Sequence, residues 1–148
     1  MNLEQFLQLF NPLPGNHYLQ ITTAEDEITQ ALSLMLEDVN GELGLALYNE
    51  DNLDFSKPFR APARSNDMVI FKDVFHAHQN QKMILKIAYT SLANTAEIII
   101  MEKKGVMDIE AMKEMLEEFE FRAANDIDVL EGYDLVMAKK MHMWGNGL

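Results

Sequence analysis

The sequence contains no cysteine, only four prolines, and no lysine or arginine before Lys57. The absence of cysteine excludes disulfide bonds and thiolate zinc sites. No apolar run approaches the roughly 18 residues that a membrane-spanning helix requires. The N-terminal stretch MNLEQFLQLF also lacks the basic start of a secretory signal. These absences predict a soluble cytoplasmic protein with no membrane association.

The formal net charge of −12 is concentrated in the first part of the chain. Ten acidic residues precede Lys57, namely Glu4, Glu25, Asp26, Glu27, Glu37, Asp38, Glu42, Glu50, Asp51 and Asp54. A nucleic-acid-binding protein neutralises phosphates with lysine and arginine, so this half of the chain would repel such a ligand. Lys57, Arg60 and Arg64 form a small basic group, but three residues are too few to reverse the prediction. The acidic excess is typical of a surface that keeps a protein soluble.

Hydrophobic periodicity predicts strands and helices that alternate along the chain. We expect strands over 17–22, 42–48, 67–72 and 96–102, helices over 2–10, 24–38 and 108–121, a further helix opening at Asn80, and a final pair of strands over 123–130 and 133–139. Thr23 is the expected cap of the second helix, and Glu131-Gly132 the expected tight turn of the final hairpin. Alternation of this kind implies a mostly parallel sheet with helices on both faces, and the hairpin adds an antiparallel edge.

A chain of 148 residues has the length of one domain, so we expect a single domain over 1–148. Residues 1–16 form an N-terminal helix and linker in this prediction, and residues 141–148 an irregular tail. The connection over 49–66 is polar and contains Pro58 and Pro62, which argues against regular structure there.

Three stretches, in this order, resemble the class I S-adenosylmethionine-dependent methyltransferases. NDMVIFKDVFHAH resembles the family's fourth strand and the loop after it, ILKIAYTSLANTAEIIIMEK the next helix and fifth strand, and DIDVLEGYDLVMAKKM the last two strands. The resemblance covers most of 18–141. It implies a three-layer α-β-α Rossmann-like fold and, in an active member, S-adenosylmethionine as cofactor.

The sequence departs from this family where the family binds its cofactor. The glycine-rich loop that lets the backbone approach the ligand is replaced by TTAED over 22–26, without glycine. Glu25, Asp26 and Glu27 would crowd the methionine carboxylate of the cofactor, which favours N–H donors and positive potential. The connection after Tyr48 is too short for the family's usual helix and third strand, and Ala93-Asn94-Thr95 replaces a Pro-Gly-Gly turn. We therefore expect a fold truncated between the second and fourth family strands, with cofactor binding lost.

The resemblance also places candidate cofactor residues. Thr22 and Thr23 stand where the family's cofactor loop begins. Glu50 or Asp51 stands just after the second strand, where the family's acid binds the ribose hydroxyls.

Asp73, His76 and His78 follow a strand at the edge that faces the functional crevice of open parallel sheets. An aspartate with two histidines can bind a divalent metal or supply a general base with a pKa near neutrality. The same residues fit a polar loop whose histidines cap the next helix or bond the backbone. We favour the polar loop and expect no metal, while these three residues remain the best catalytic candidates in the chain.

Three functional hypotheses follow. The first is a non-catalytic methyltransferase-like protein that acts through protein contacts, as a homodimer or through the tail with Met141, Met143 and Trp144. The second is an active methyltransferase with an atypical cofactor loop, in which Asp73 or His76 lies near the transferred methyl group. The third is a module that binds another small ligand in the same crevice.

Overall fold

The computed structural model describes residues 2–141. The elements in chain order are α1 (Glu4–Leu7), β1 (His17–Thr22), α2 (Glu27–Glu37), β2 (Glu42–Leu47), β3 (Asn66–Lys72), α3 (Gln81–Ser91), β4 (Leu92–Lys103), α4 (Ile109–Glu118), β5 (Phe121–Ile127) and β6 (Tyr133–Lys140). The predicted role of the tail falls largely outside the described residues, since only Met141 of that segment is included.

The six strands form one sheet in the order β2-β1-β3-β4-β6-β5. β1 lies between β2 and β3 and is parallel to both, and β3 is parallel to β4. β6 runs antiparallel to β4 and to β5. The predicted mostly parallel sheet with an antiparallel C-terminal hairpin is confirmed.

Helices cover both faces of this sheet, as the apolar periodicity predicts. One core contains Phe6 of α1 and Ile28, Leu32 and Leu36 of α2, packed against Ile70 and Ile99. The other contains Ile84 and Ala88 of α3 and Met112 and Leu116 of α4, packed against Phe71, Ile98 and Ile100. Residues 98–101 of β4 are fully buried, which explains their unbroken apolar run. The three-layer α-β-α architecture is therefore confirmed.

The start of α2 differs from the prediction. Asp26, not Thr23, caps the helix: its Oδ1 accepts the N–H groups of Ile28 at 3.0 Å and Thr29 at 3.2 Å. Any of the polar residues between 22 and 26 has a side chain able to cap, but only the one directly before the first helical turn reaches its free N–H groups. The predicted helix over 2–10 is likewise reduced to the single turn of α1, ahead of Pro12.

In the C-terminal half, the structure differs from the sequence prediction at three boundaries. β4 begins at Leu92, four residues before the predicted start at Ala96. β5 begins at Phe121, a residue that the periodicity assigned to the end of the preceding helix. The turn at Glu131-Gly132 is not a tight hairpin, because residues 128–132 all lie between β5 and β6. Leu130 is buried within this connection, so its side chain holds the longer loop against the core.

Residues 48–65, between β2 and β3, contain no named helix or strand, as the predicted truncation requires. The segment is nevertheless anchored to the α3 face of the sheet. Phe59 is 2% exposed and its ring lies 5.9 Å from that of Phe71. The Tyr48 hydroxyl donates to the Lys57 carbonyl at 2.7 Å, and the Tyr48 ring stacks on Phe55. We call residues 48–65 the anchored loop.

No helix within residues 2–141 is long and apolar enough to cross a membrane.

Replacing Phe59 by alanine tests whether the anchored loop is part of the core. We expect the free energy of unfolding to fall by about 3–5 kcal/mol, because a buried aromatic side chain leaves a cavity. Denaturant unfolding of the variant measures this loss. Leu34→Ala, at a side chain that is 63% exposed, is the control and should change stability little. Equal, small effects of both substitutions would show that the loop is not packed as described.

Candidate functional site

The carboxyl ends of β1, β2, β3 and β4 lie at one edge of the sheet because these four strands are parallel. From β1 the chain passes through α2 to β2 on one side, whereas from β3 it passes through α3 to β4 on the other. The ends of β1 and β3 therefore flank a topological switch point. In open α/β sheets ligands bind in the crevice at that point.

The ammonium group of Lys72 bridges this switch point. Its Nζ lies 3.0 Å from Oδ2 of Asp26, in the segment after β1, and 2.9 Å from Oδ2 of Asp73, directly after β3. The Tyr133 hydroxyl donates to Asp73 Oδ2 at 3.0 Å, and Lys72 Nζ lies 5.0 Å from the centre of the Tyr133 ring. We call these four residues the lysine bridge. It ties together the segments that follow two adjacent strands.

The strand period explains why the Lys72 side chain points to this place. Met68 and Ile70 pack on the α1–α2 face, and Lys72 shares their face at the end of β3. The Lys72 side chain is only 7% exposed, so its charge requires partners. Asp73 has φ of 61°, in the left-handed region that aspartate tolerates better than most residues.

The ionisation of the bridge follows from its contacts. Burial disfavours the charged ammonium, but hydrogen bonds with Asp73, Asp26 and Tyr133 outweigh it and raise the pKa of Lys72 above its usual value. Burial likewise opposes the charge on Asp26, yet the hydrogen bond from Lys72 and those from the α2 backbone lower the pKa of its carboxyl group. The bridge is thus an ion pair at neutral pH.

Asp26 has two structural roles through its two oxygens. Oδ1 caps α2, and Oδ2 pairs with Lys72. The free N–H groups of a helix N-terminus commonly bind an anionic ligand. In this chain Asp26 itself occupies two of those donors.

The three catalytic candidates after β3 have separate partners. Asp73 belongs to the lysine bridge. His76 donates its backbone N–H to Oε2 of buried Glu102 at 3.2 Å, and its Nδ1 lies 3.4 Å from the same oxygen. His78 is 4% exposed; its Nδ1 accepts the N–H of Asn80, and its Nε2 lies 2.9 Å from the Lys57 carbonyl.

His78 therefore bonds the backbone at the start of α3 and on the anchored loop, as the polar-loop interpretation expects. Across residues 2–141 the structure contains no group of three or more His, Asp or Glu side chains placed to hold a metal ion.

The candidate cofactor residues lie at the predicted edge of the sheet. Thr22 ends β1 with no exposed surface, and its hydroxyl donates to the Ala24 carbonyl at 3.3 Å. Thr23 is half-buried. Glu50 and Asp51 are exposed in the turn after β2, where Asn49 accepts the Asp51 N–H.

Sequence reasoning missed Lys72 and Tyr133, and it gave the cap of α2 to Thr23 instead of Asp26. One signal was available: Lys72 directly follows the buried apolar residues 68–71 of β3, where a charge needs a partner. Two clefts of about 390 Å³ each lie away from the bridge. One is beside the 128–132 connection and the other beside β2, and none of the predicted site residues lines either.

The architecture matches solved structures of methyltransferases. A SAM-dependent methyltransferase from Aquifex aeolicus aligns with a TM-score of 0.75 and 16% identity, over 95% of this chain and 90% of that one. The Haemonchus contortus phosphoethanolamine N-methyltransferase 2, solved with S-adenosylhomocysteine, aligns with a TM-score of 0.72 and 8% identity. The alignment covers 95% of this chain and 52% of that one. The chain has a class I methyltransferase-like fold.

A further match comes from the complex between the Haloferax volcanii Trm112 methyltransferase activator and a putative methyltransferase. It gives a TM-score of 0.68 and 10% identity, over 95% of this chain and 88% of that one. No protein-family model matches the sequence, and comparison with curated proteins finds no match. At these identities the likeness establishes a methyltransferase-like fold, which confirms the resemblance predicted from the sequence.

Replacing Asp26 by asparagine isolates the ion pair, because asparagine caps a helix as well as aspartate does. At pH 7 we expect a loss of about 1–3 kcal/mol, between the values for exposed and buried pairs, since Asp26 is 35% exposed. The folded pKa of Asp26 is lowered, so its stabilisation is complete above the unfolded value of about 3.9 and disappears as pH falls through the folded value.

The difference in unfolding free energy between wild type and Asp26→Asn should therefore shrink in acid. Denaturant unfolding between pH 7 and pH 2 measures it. A difference that stays constant over this range would contradict the ionised bridge.

Proposed function

We propose that this chain is a cytoplasmic methyltransferase-like protein that has lost S-adenosylmethionine binding and acts through protein contacts. The observation that carries the proposal is the lysine bridge. A ligand entering the switch point would have to part Lys72 from Asp26 and Asp73, leaving mostly buried charges without partners. Because Asp26 is 35% exposed, parting it from Lys72 costs about 1–3 kcal/mol, which an incoming ligand would have to offset.

The residues after β1 also disagree with the chemistry of the cofactor. Side chains stand at every position of 22–26, where the family's glycines allow close backbone approach. The N–H groups of Ile28 and Thr29, which could receive the methionine carboxylate, already donate to Asp26. Since the carboxylate of the cofactor and that of Asp26 would compete for the same donors, these residues do not fit the cofactor as they stand.

A protein partner is the second part of the proposal. One solved neighbour is part of a complex with an activator protein, so this fold does take part in protein complexes. A homodimer, and a partner bound through residues 141–148, remain our predictions. Met141, the only described residue of that segment, is 41% exposed.

Active methylation is the rival function, and the position of two exposed acids favours it. Glu50 and Asp51 lie just after β2, where the resemblance places the ribose-binding acid. Neighbours with the same fold have been solved with S-adenosylmethionine or S-adenosylhomocysteine. In this chain the cofactor would have to displace the lysine bridge.

Calorimetric titration of the purified chain with S-adenosylmethionine and S-adenosylhomocysteine separates the two functions. We expect no heat of binding with either ligand at millimolar concentration, and no shift of the melting midpoint. A ligand present at 100 times its dissociation constant would stabilise the fold by about 2.7 kcal/mol, which a thermal melt detects readily. Binding at micromolar concentration would overturn the loss of the cofactor. A known methyltransferase titrated in parallel controls for ligand quality.

A further inference from the structure

The outer side of β2 carries no neighbouring strand among residues 2–141. β2 is one end of the sheet, and the anchored loop folds onto the α3 face instead of extending the sheet. Within residues 2–141, its one strand-like pairing beside β2 is the isolated bridge between Tyr48 and Leu53. β2 is therefore an edge strand over most of its length.

The hydrogen bonds to β1 show which backbone groups face outward. Glu42 donates to the Asn16 carbonyl and Tyr48 to the Thr22 carbonyl, both at 2.9 Å. N–H and C=O groups alternate between the two sides of a strand, so the even-numbered residues of β2 face β1. Leu43 and Leu45 consequently present their N–H and C=O groups to the open side.

This edge carries few of the features by which proteins protect an edge strand, and its one charged residue, Glu42, is the first of the strand. The six residues ELGLAL contain no lysine and no proline, and β2 has no register shift against β1. The opposite edge, β5, has Arg122 and Asp126, a register shift against β6 and a positive φ at Ala123. Of the two edges of the sheet, β2 is the one open to strand pairing.

A cleft of about 390 Å³, with apolar and polar lining, lies beside this edge. Leu45, Ala46 and Leu47 of β2 form one wall, and the anchored loop forms the other with Asn52, Leu53, Pro58, Phe59 and Arg60. Leu45 is 37% exposed. An added strand would place alternate side chains toward such a cleft, which gives the pairing a means of selecting apolar residues.

Charge decides which kind of segment fits. Exposed Glu42 begins β2, and exposed Glu50 and Asp51 follow it, while the one cation that lines the cleft, Arg60, belongs to the anchored loop. A second copy pairing antiparallel through β2 would bring the acidic ends of both strands toward each other, and like charges disfavour such pairing. A segment with lysine or arginine flanking apolar residues would complement the edge.

We propose that the open edge of β2 binds an extended basic segment of another protein by strand addition. This names the kind of partner through which the proposed function is exercised, and so rests on that function. The backbone groups of Leu43 and Leu45 pair with the segment, its apolar side chains enter the cleft, and its cations lie beside the acids at the ends of β2.

An eight-residue peptide of alternating lysine and valine is a defined probe for this edge. We expect it to bind and to slow hydrogen exchange of the Leu43 and Leu45 amides at least tenfold, as measured by NMR. A glutamate–valine peptide of equal length should do neither. Leu45→Lys, which adds a repelling charge to the edge, should weaken binding at least tenfold, while the matched substitution Asn125→Lys on β5 should not.

Three results would overturn the proposal: no protection of Leu43 and Leu45, protection confined to β5, or equal binding of the two peptides. If the Leu43 and Leu45 amides become protected without peptide as the protein concentration rises, the edge binds a second copy of the chain instead. Leu45→Pro, which removes an outward N–H, is a second variant, checked for folding by circular dichroism. The cofactor titration stands apart from these measurements, so cofactor binding alongside peptide binding would contradict only the non-catalytic function.

Discussion

The placement of one buried ammonium group constrains the segments that follow β1 and β3 at the carboxyl edge of the parallel strands. Lys72 lies at the end of β3 with 7% of its side chain exposed, between a carboxylate from each side of the switch point. A charge in that position is tolerated only when it is paired. The conformations of the segments after β1 and β3 therefore depend on each other. In a methyltransferase-like fold, this pairing takes place where the cofactor would be expected.

The bridge also connects helix formation to the crevice. Because Asp26 caps α2 with one oxygen and binds Lys72 with the other, the start of the helix and the end of β3 are held by the same side chain. The anchored loop has a comparable role on the other face, through Phe59 and the bonds of Tyr48 and His78 to the Lys57 carbonyl. The chain thus keeps the sheet of its fold class without a third family strand, and leaves β2 as an open edge.

Local patterns were sufficient for the strands of the sheet and for the fold class. Apolar runs such as residues 98–101 are set by neighbours in sequence and carry over into the structure. The pattern of 17–22 also predicts a strand correctly, although residues 18–22 of that strand are all buried. The lysine bridge could not be found in this way, because Lys72 and Asp26 are far apart in the chain and meet only through the parallel pairing of β1 and β3. The prediction of Thr23 as the cap of α2 was wrong for a related reason. Several polar residues near the start of the helix could cap it, and only the path of the backbone decides that Asp26 does. The contact of His78 with the Lys57 carbonyl on the anchored loop is a tertiary contact of the same kind, which local patterns do not predict.

A double-mutant cycle between Asp26 and Lys72 tests the central claim most directly. The free energies of unfolding of wild type, Asp26→Asn, Lys72→Met and the double variant are measured at pH 7 and repeated at high salt. The account predicts that the two substitutions are strongly non-additive, with a coupling energy of at least about 1 kcal/mol that largely survives salt, because the pair is mostly buried. Additive effects, with a coupling energy near zero, would show that Lys72 does not hold the two sides of the crevice together.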